Sequence, residues 1–257
     1  MLKLTKRNYY SEEANREYWS ASFIKAMLKC PAAAMAMEQE EPSTALLVGS
    51  YVDAAFEGQK SLDRFTLEHP EMFKKDGTLK ADFLKAQEMI VRSRSDKLFM
   101  EYMSGRKQVI KTGAIGGLPF KIKMDVYKKG KRIVDLKTVR DMKPVYRAGE
   151  GQITFADAWE WPLQLAIYQA VEGNKLPCYL AVVTKEDPPD LAVIEIPQAE
   201  LDAEMQRLLD KLPYFDAIRS GIIEPPRCEC CAYCRRTKKL SRPVPLGEFI
   251  EYGRTAV

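Results

Sequence analysis

The chain contains the segment Lys123-Met-Asp-Val-Tyr-Lys-Lys-Gly-Lys-Arg-Ile-Val-Asp-Leu-Lys-Thr138, whose pattern is typical of a strand, a glycine-containing turn and a second strand. Asp125 ends the first predicted strand. Asp135 and Lys137 lie two residues apart on the second strand, so their side chains project from one face. The segment therefore predicts a β-hairpin that brings two carboxylates and one ammonium group together.

This combination of side chains suits phosphodiester hydrolysis. A hard divalent cation usually binds one or two carboxylates, with water and substrate phosphate as further ligands. A lysine beside it can orient the attacking water or neutralise charge that develops on phosphorus. Val134 and Leu136 occupy the alternate positions and are expected to face the core, which leaves the charged pair facing a cleft. The alternative is the solvated face of an ordinary hairpin.

The length of the chain, 257 residues, is enough for one domain with a substantial core. We expect a single domain over 1–257, with a tail rich in cysteine, lysine and arginine from about 225. No apolar run approaches the ~18 residues that a membrane span needs, and the first ten residues lack the apolar core of a signal peptide. These features predict a cytoplasmic protein that makes no use of a membrane.

Positive charge is concentrated in two parts of the chain, although the net charge is only +4. Residues 121–147 hold ten lysines and arginines against three aspartates, and residues 227–242 hold six against one glutamate. Basic tracts around an acidic site suit a polyanion that approaches a bound metal, and a basic solvated surface is the alternative. The single histidine, His69, excludes histidine-rich metal sites and disfavours Ser-His-Asp or Cys-His catalysis.

The order of predicted elements indicates the fold class. Hydrophobic periodicity predicts helices near 22–38, 44–57, 81–104 (with a break near 93–95), 157–173 and 198–219. Strands are expected near 107–112, 117–127, 131–139, 178–184 and 191–196. This order predicts an α/β domain in which a mixed central β-sheet is flanked by helices.

Two further motifs lie on predicted helices. Gly49 and Asp53 are four residues apart on the second helix, and Gly49 would let another backbone or a DNA strand come close. Gln164 and Tyr168 are also four apart, on the helix after the hairpin, and share a face. The alternatives are a surface aspartate and a half-buried tyrosine beside an exposed glutamine.

Taken in order, these motifs resemble the PD-(D/E)xK nuclease superfamily, whose D-x9-D-x-K spacing matches Asp125, Asp135 and Lys137. RecB-like and RecE-like members have a G-x3-H motif on one helix and a Q-x3-Y motif on the helix after the hairpin. The chain matches the second motif, whereas Asp53 stands where the first has a metal-binding histidine. Its carboxylate can still supply an oxygen ligand. The resemblance covers residues 20 to about 240 and implies a restriction-endonuclease-like core.

The resemblance also implies roles for individual residues. The catalytic residues would be Asp125, Asp135 and Lys137. The ligands of Mg²⁺ or Mn²⁺ would be Asp53, Asp125, Asp135 and the backbone carbonyl of Leu136. Gln164 and Tyr168 would line the substrate cleft. Apart from the resemblance, the basic tract makes Lys121 and Lys123 candidates for contacts to the DNA backbone along this cleft.

Within the superfamily, the chain looks like a phage-type, exodeoxyribonuclease VIII-like (RecE-like) nuclease. Such enzymes typically degrade linear double-stranded DNA from its ends, supply a single-strand annealing recombinase and often form rings around DNA. The resemblance therefore implies a Mg-dependent exonuclease that acts on DNA ends in phage-type recombination, with a recombinase partner and a ring-shaped homo-oligomer. No base-reading helix is evident, so little sequence preference is expected.

A cluster of cysteines forms a separate candidate site. Cys228, Cys231 and Cys234 are spaced C-x2-C-x2-C, with Cys230 as an extra thiol. In a cytosolic chain such clustering favours a metal over disulfides, and Cys30 is the candidate for a fourth ligand. Some relatives of the superfamily bind an iron–sulfur cluster through one N-terminal and three C-terminal cysteines. A [4Fe–4S] cluster, Zn²⁺ with four thiolates and unliganded thiols all remain open.

Two other classes of function compete with the nuclease. One is a non-catalytic DNA-binding or assembly protein that keeps a nuclease fold, although such a protein would have no chemical need for Asp125, Asp135 and Lys137 together. The other is a redox or sensor protein centred on the cysteines.

Overall fold

A mixed five-stranded sheet lies at the centre of the structure, a computed structural model that describes residues 1–37, 43–147, 149–243 and 245–246. In chain order the strands are β1 Arg106–Ile115, β2 Leu118–Lys128, β3 Arg132–Val139, β4 Val145–Arg147, β5 Gly151–Ile153, β6 Cys178–Thr184 and β7 Leu191–Ile196. The sheet has the order β1-β2-β3-β6-β7, and β4 and β5 pair in a separate ribbon. Strands β3 and β6 are parallel, whereas the other neighbours in the sheet are antiparallel.

Helices cover both faces of this sheet. In chain order they are α1 Glu12–Glu17, α2 Ala21–Lys29, α3 Pro31–Ala36, α4 Thr44–Glu57, α5 Gln59–Glu68, α6 Ala81–Ser95, α7 Lys97–Tyr102, α8 Phe155–Ala158, α9 Trp161–Glu172, α10 Gln198–Arg219 and α11 Ala232–Arg236. Buried side chains of α2, α9 and α10 form one core with the strands, the α9 core, and those of α4, α6 and α7 form a second, the α4 core. The predicted α/β fold with a mixed central sheet flanked by helices is confirmed.

None of the helices in the part of the chain that the structure describes combines the length and the apolar character needed to cross a membrane.

The alternation of side chains along β3 separates the two cores. Ile133 packs in the α9 core, whereas Val134 and Leu136 pack in the α4 core. Because side chains alternate along a strand, Asp135 and Lys137 share the face of Ile133 and project towards α9. The sequence-based prediction that the charged pair and the apolar pair face opposite ways is confirmed.

Strands β2 and β3 separate beside the two predicted catalytic carboxylates. Their antiparallel pairing ends at Val126 and Val134. Asp125 and Asp135 therefore occupy the first position beyond the paired part of the hairpin. We call the gap that opens there the fork.

The N-terminal segment lies beside β2 beyond the fork. Trp19 N–H donates to the Pro119 carbonyl (2.8 Å), and Lys121 N–H donates to the Trp19 carbonyl (2.8 Å). These bonds satisfy backbone groups of β2 that would otherwise be left without a partner when β3 diverges. The fork is thus bounded by β2, by β3 and by the start of the chain.

The helix predicted over 22–38 is two helices in the structure. Helix α2 ends at Lys29 and α3 begins at Pro31, and Cys30 between them is extended (φ −165°, ψ 102°). The cause is Pro31, which lacks a backbone N–H and disfavours a helical conformation in the residue before it. Residue 38, the predicted end of this helix, lies outside the described residues.

Several small elements were not predicted from the sequence. They are the helix α5, the β4–β5 ribbon and the short helices α1, α8 and α11. Helix α5 has ten residues, none of which is buried. The other elements are six residues or shorter, too short for a period of 3.6 or 2 to be recognised. The tail predicted from about 225 is described to residue 246 apart from 244, and residues 247–257 lie outside the described residues.

Gly105, between α7 and β1, offers a test of the packing of the hairpin. Its φ is +156°, and a Cβ there would lie 2.9 Å from the Tyr127 carbonyl oxygen. We expect Gly105→Ala to lower the free energy of unfolding by roughly 1–3 kcal/mol, because both the backbone conformation and the contact become unfavourable. Chemical denaturation with urea measures the change.

The matched control is Gly77→Ala. Gly77 also has a positive φ (+82°), but open space surrounds its Cβ position. It should lose only the conformational contribution, about 1 kcal/mol. Equal losses in the two variants would contradict a rigid contact between Gly105 and β2.

Candidate active site

Asp125 is held by donors from both neighbouring strands. Leu136 N–H on β3 donates to Asp125 Oδ2 (2.9 Å), and Gln108 Nε2 on β1 donates to Oδ1 (3.2 Å). Gln108 has a φ of +52°, which is uncommon for a residue with a Cβ. Met124 packs in the α9 core and Val126 in the α4 core, so β2 rotates about Asp125. The strand geometry thus directs this carboxylate into the fork.

Asp135 and Lys137 form an ion pair on β3. Lys137 Nζ lies 2.6 Å from Asp135 Oδ2 and 5.4 Å from the centre of the Trp161 ring. Asp135 is only 2% exposed, and its Oδ2 accepts no well-oriented hydrogen bond from the described residues. Burial alone would lower the pKa of Lys137, but Asp135 and Asp125 outweigh it and raise this pKa. The lysine is therefore cationic, and its ammonium group contacts a carboxylate oxygen that is buried in the fork.

Gln164 and Tyr168 lie beside this ion pair on α9. Gln164 Nε2 donates to Asp135 Oδ1 (2.8 Å) and to the Tyr168 hydroxyl oxygen (3.2 Å). Lys25 Nζ on α2 donates to Gln164 Oε1 (2.7 Å). Both Gln164 and Tyr168 are buried, which excludes the alternative of an exposed glutamine. The glutamine thus joins a carboxylate of the sheet to a lysine of the N-terminal helix.

Asp53 approaches the same site from α4. One turn earlier on this helix, a Cβ at Gly49 would lie 3.3 Å from Thr138 Oγ1 of β3. The missing side chain therefore lets α4 pack closely on the strand, as expected from the sequence. This packing places Asp53 on the wall of the cleft that also contains Asp125 and Asp135.

The carboxylates of the site repel one another. Burial raises the pKa of Asp53 to about 7, with Lys137 opposing and Asp135 adding to the rise. Burial, together with the charges of Asp135 and Asp53, raises the pKa of Asp125 well above its usual range. A divalent cation would relieve this repulsion, and carboxylate oxygens are the ligands that Mg²⁺ and Mn²⁺ prefer. The residues at the fork therefore fit such an ion.

An open cleft of about 270 Å³ gives access to these groups. Its lining residues are Tyr9, Tyr10, Ser20, Ala21, Ser22, Lys25, Asp53, Gln108, Lys123, Asp125, Asp135, Leu136, Lys137, Gln164 and Tyr168. Lysines from α2 and from β2 line the cleft together with the carboxylates. The cleft thus combines an acidic centre with cationic walls, which suits a phosphate backbone above a metal.

Two predicted cleft lysines have different environments. Lys123 lines the cleft, with Nζ 4.5 Å from the centre of the Tyr10 ring. Lys121 is only 1% exposed and does not line it. Its Nζ donates to the Tyr9 carbonyl (2.6 Å) and to Asn15 Oδ1 (2.7 Å), so its charge holds the N-terminal segment. The structure does not support the expected substrate contact of Lys121, because β3 has diverged there and the N-terminal segment covers that part of β2.

Several residues of the cleft were not identified from the sequence, among them Gln108, Lys25 and Tyr10. Gln108 belongs to no recognisable motif, and its contact with Asp125 depends on a local backbone conformation. Lys25 was one of two basic residues on the helix predicted over 22–38. Tyr10, 67% exposed at the cleft, precedes the first predicted element. Only the pairing of the N-terminal segment with β2 brings the last two residues to the fork.

The cysteines form a second site, away from the fork. Cys30, Cys228, Cys231 and Cys234 approach one another closely enough to hold a metal, with sulfur atoms within 4.8 Å. Cys230 is exposed and does not belong to this group. The predicted gathering of one N-terminal and three C-terminal thiols is confirmed.

Comparison with known proteins supports the assignment of a PD-(D/E)xK-type fold, with a mixed sheet flanked by helices. A family model described as "PDDEXK-like domain of unknown function (DUF3799)" matches residues 20–237. A crystal structure from Eubacterium rectale, described as a "Putative exonuclease", is 39% identical, has a TM-score of 0.92, and is aligned over 97% of this chain and 98% of that chain. A structure of the protein SSO0001, 16% identical over 85% of this chain and 97% of that chain, has a TM-score of 0.30, too low to support an argument. No curated protein sequence matches this chain.

The family match covers the elements that form the fork, and the E. rectale structure shares the fold. The matched range contains the hairpin, the helix that carries Asp53 and the helix that carries Gln164 and Tyr168. Together they support nuclease activity. The chain belongs to the PDDEXK-like domain family DUF3799, within the PD-(D/E)xK nuclease superfamily.

Proposed function

We propose that this protein is a metal-dependent DNA exonuclease that degrades linear double-stranded DNA. The observation that carries the proposal is the convergence of Asp125, Asp135 and Lys137 in one open cleft, with Asp135 and Lys137 in contact. A structural hairpin would not need three charged groups directed into a largely buried fork. A hydrolase that binds a cation and a phosphodiester does need them.

The metal would be Mg²⁺ or Mn²⁺. Asp125, Asp135 and the Leu136 carbonyl would hold it, and Asp53 is placed to contribute a further carboxylate. When bound, the ion supplies Lewis-acid activation of the phosphodiester and of water. Few protein ligands are expected, because Mg²⁺ usually keeps water and substrate phosphate in its coordination shell.

The protein residues around the ion have distinct tasks. Lys137, held as a cation by its ion pair, would orient the attacking water or stabilise negative charge on the phosphorus centre. Gln164 fixes the orientation of Asp135 by donating to its second oxygen. Lys25 Nζ donates to the same glutamine and lines the cleft. Its ammonium group can therefore bind a neighbouring phosphate of the substrate.

The strand that carries the scissile phosphate would pass between the lysines of the cleft. Lys123 also lines the cleft, and its Nζ lies 4.5 Å from the centre of the exposed Tyr10 ring. An aromatic ring beside a cation can stack on a base while the cation binds its phosphate. These are contacts to backbone and to the faces of bases, so cleavage should depend little on sequence.

The biological setting is proposed from the RecE-like order of the motifs. We place the protein in phage-type recombination, in the cytoplasm, where it would resect DNA ends for a single-strand annealing recombinase. A ring-shaped homo-oligomer would keep the enzyme on its substrate. Similarity to a protein described as an exonuclease favours digestion from ends over internal cutting.

The first prediction concerns the catalytic groups. Asp135→Asn and Lys137→Ala should each lower the rate of DNA cleavage by at least about 10²- to 10³-fold, because each removes a charge that acts on the reacting phosphate. Release of acid-soluble nucleotides from linear DNA, with Mg²⁺ present, measures the rate. Circular dichroism should show unchanged secondary structure.

Lys175→Ala is the matched control for these variants. Lys175 is exposed and pairs with Asp202 on the surface, so it should keep full activity. Substantial cleavage by Asp135→Asn or Lys137→Ala would contradict the catalytic assignment.

The second prediction concerns Gln164. Gln164→Leu removes the hydrogen bond that orients Asp135 and the acceptor that holds Lys25. The Mg²⁺ concentration needed for half-maximal activity should rise about 10- to 100-fold, the usual effect of losing a partner of a metal ligand. Activity measured across a Mg²⁺ titration gives this value.

Gln169→Leu on the same helix is the control. Gln169 is also buried, but it bonds the Leu176 carbonyl and Gln198, outside the cleft. This variant should lose stability without a change in its Mg²⁺ requirement. A shared shift in both variants would mean that Gln164 acts only through folding.

The third prediction distinguishes an exonuclease from its alternatives. With Mg²⁺, the protein should digest linear duplex DNA to mononucleotides or short products and leave closed-circular duplex DNA intact. Cutting of both substrates would indicate an endonuclease of the same fold. A gel shift without cutting, with or without Mg²⁺, would support the non-catalytic DNA-binding protein instead.

A further inference from the structure

The four-cysteine site joins the two ends of the described chain. Cys30 lies between α2 and α3, and Cys228, Cys231 and Cys234 lie in the tail, some two hundred residues later. Cys30 and Cys234 are buried, with exposed fractions of 2% and 0%. A backbone bond from Ala32 N–H to the Pro226 carbonyl (3.1 Å) runs beside them. The thiols therefore lie at the contact between the tail and the α2–α3 segment. Folding, and not only closeness in sequence, brings them together.

The distances between the sulfur atoms identify the kind of group that fits. Cys30 Sγ and Cys234 Sγ are 3.6 Å apart, and Cys228 Sγ and Cys234 Sγ are 3.9 Å apart. All four sulfur atoms lie within 4.8 Å of one another. Zn–S bonds of 2.3 Å in a tetrahedron place the sulfur atoms about 3.8 Å apart. The two shortest of these distances are close to the edge of such a tetrahedron, and none of the others exceeds 4.8 Å, so the group suits a single ion.

A four-iron cluster does not fit this arrangement. In such a cluster each thiolate binds a different iron, and the irons and sulfides between them hold the four thiolates well apart. Here the sulfur atoms are near van der Waals contact, with no room for a cube of eight atoms. A disulfide does not fit either, because its sulfur atoms would be about 2.0 Å apart.

Backbone donors surround the sulfur atoms as they would around thiolates. Cys231 N–H donates to Cys228 Sγ (3.3 Å), and Cys234 N–H donates to Cys231 Sγ (3.4 Å). Such donors delocalise the negative charge of metal-bound thiolates and orient them. Arg227, which donates to the Cys234 carbonyl (2.6 Å), adds a positive charge nearby. The surroundings of the four cysteines therefore suit a negatively charged group of four thiolates around a metal ion.

We infer that Cys30, Cys228, Cys231 and Cys234 bind one Zn²⁺ ion, which fastens the C-terminal tail to the end of α2. Four thiolates leave no open position, so the ion is structural and not catalytic. Zinc is chosen over a single ferrous ion because the same ligands bind Zn²⁺ more tightly. Lys25, five residues before Cys30 on α2, faces the active-site cleft, so the ion also steadies one wall of that cleft.

Metal analysis of the full-length protein tests this inference. Protein purified anaerobically should be colourless and contain about one equivalent of zinc, without stoichiometric iron or acid-labile sulfide. Protein stripped of metal with a chelator under reducing conditions should bind one equivalent of Co²⁺ and show the intense visible bands of tetrahedral cobalt thiolate. These measurements are independent of nuclease activity.

Variants of single cysteines identify the ligands. Cys231→Ser and Cys234→Ser should lose the bound zinc and unfold at a lower temperature, because the tail loses its link to α2. Cys230→Ser is the matched control, since this exposed thiol contacts Cys228 Sγ (3.6 Å) but does not belong to the group of four. It should keep both the zinc and the thermal midpoint.

Four results would overturn the inference. They are iron with acid-labile sulfide in stoichiometric amount, a single bound iron, protein that binds no stoichiometric metal, and zinc that is lost from the Cys230→Ser variant. If Cys234→Ser fails to fold, the Co²⁺ spectrum of the wild-type protein decides between a four-thiolate site and none.

Discussion

The concentration of negative charge at the fork is the constraint on which the rest of the site depends. Asp53, Asp125 and Asp135 approach one lysine in a poorly hydrated place, where like charges repel strongly. Two strands that stayed paired would satisfy their backbones with one another and leave no room for these groups. The separation of β2 from β3 opens that room, and Asp125 accepts the Leu136 N–H that the separation exposes.

Contacts between the surrounding elements hold the carboxylates close together despite their repulsion. On the α9 side, Glu172 is fully buried and accepts hydrogen bonds from Lys111 (2.9 Å) and from Tyr127 (2.7 Å), which ties the end of α9 to β1 and β2. A buried ion pair of this kind adds modest net stability, but it fixes orientation because a misplaced helix would leave its charges unpaired. With α9 fixed, Gln164 lies at Asp135.

The N-terminal segment contributes to the active-site cleft, although it contains no recognisable motif. It pairs with β2 where β3 diverges, and it carries Lys25 and Tyr10 to the cleft. Buried Lys121 holds this segment through two hydrogen bonds. The four cysteines lie at the far end of the same helix, so one segment connects the cleft to the C-terminal tail. The two sites are chemically separate but share α2 as a common support.

The chain alone predicted the mixed sheet, its principal helices and the principal groups that the structure brings together at the fork. This succeeded because Asp135 and Lys137 alternate with Val134 and Leu136 along one strand, and because Gln164 and Tyr168 recur at helical spacing. Such local periodicities are independent of the partner against which an element packs. Cys30 was assigned to the tail cysteines on a different ground: three tail thiolates leave a four-ligand metal site one ligand short, and some relatives supply it from an N-terminal cysteine.

The environment of each group depended on contacts between residues far apart in the chain. Lys121 and Lys123 lie two residues apart on the same strand, yet Lys121 supports the N-terminal segment and Lys123 lines the cleft. The difference arises because only tertiary packing determines what covers each part of β2. Gln108 reaches Asp125 through a backbone conformation that no spacing encodes. Sequence patterns report which face of an element a side chain occupies. What stands opposite that face follows from the packing of the whole chain.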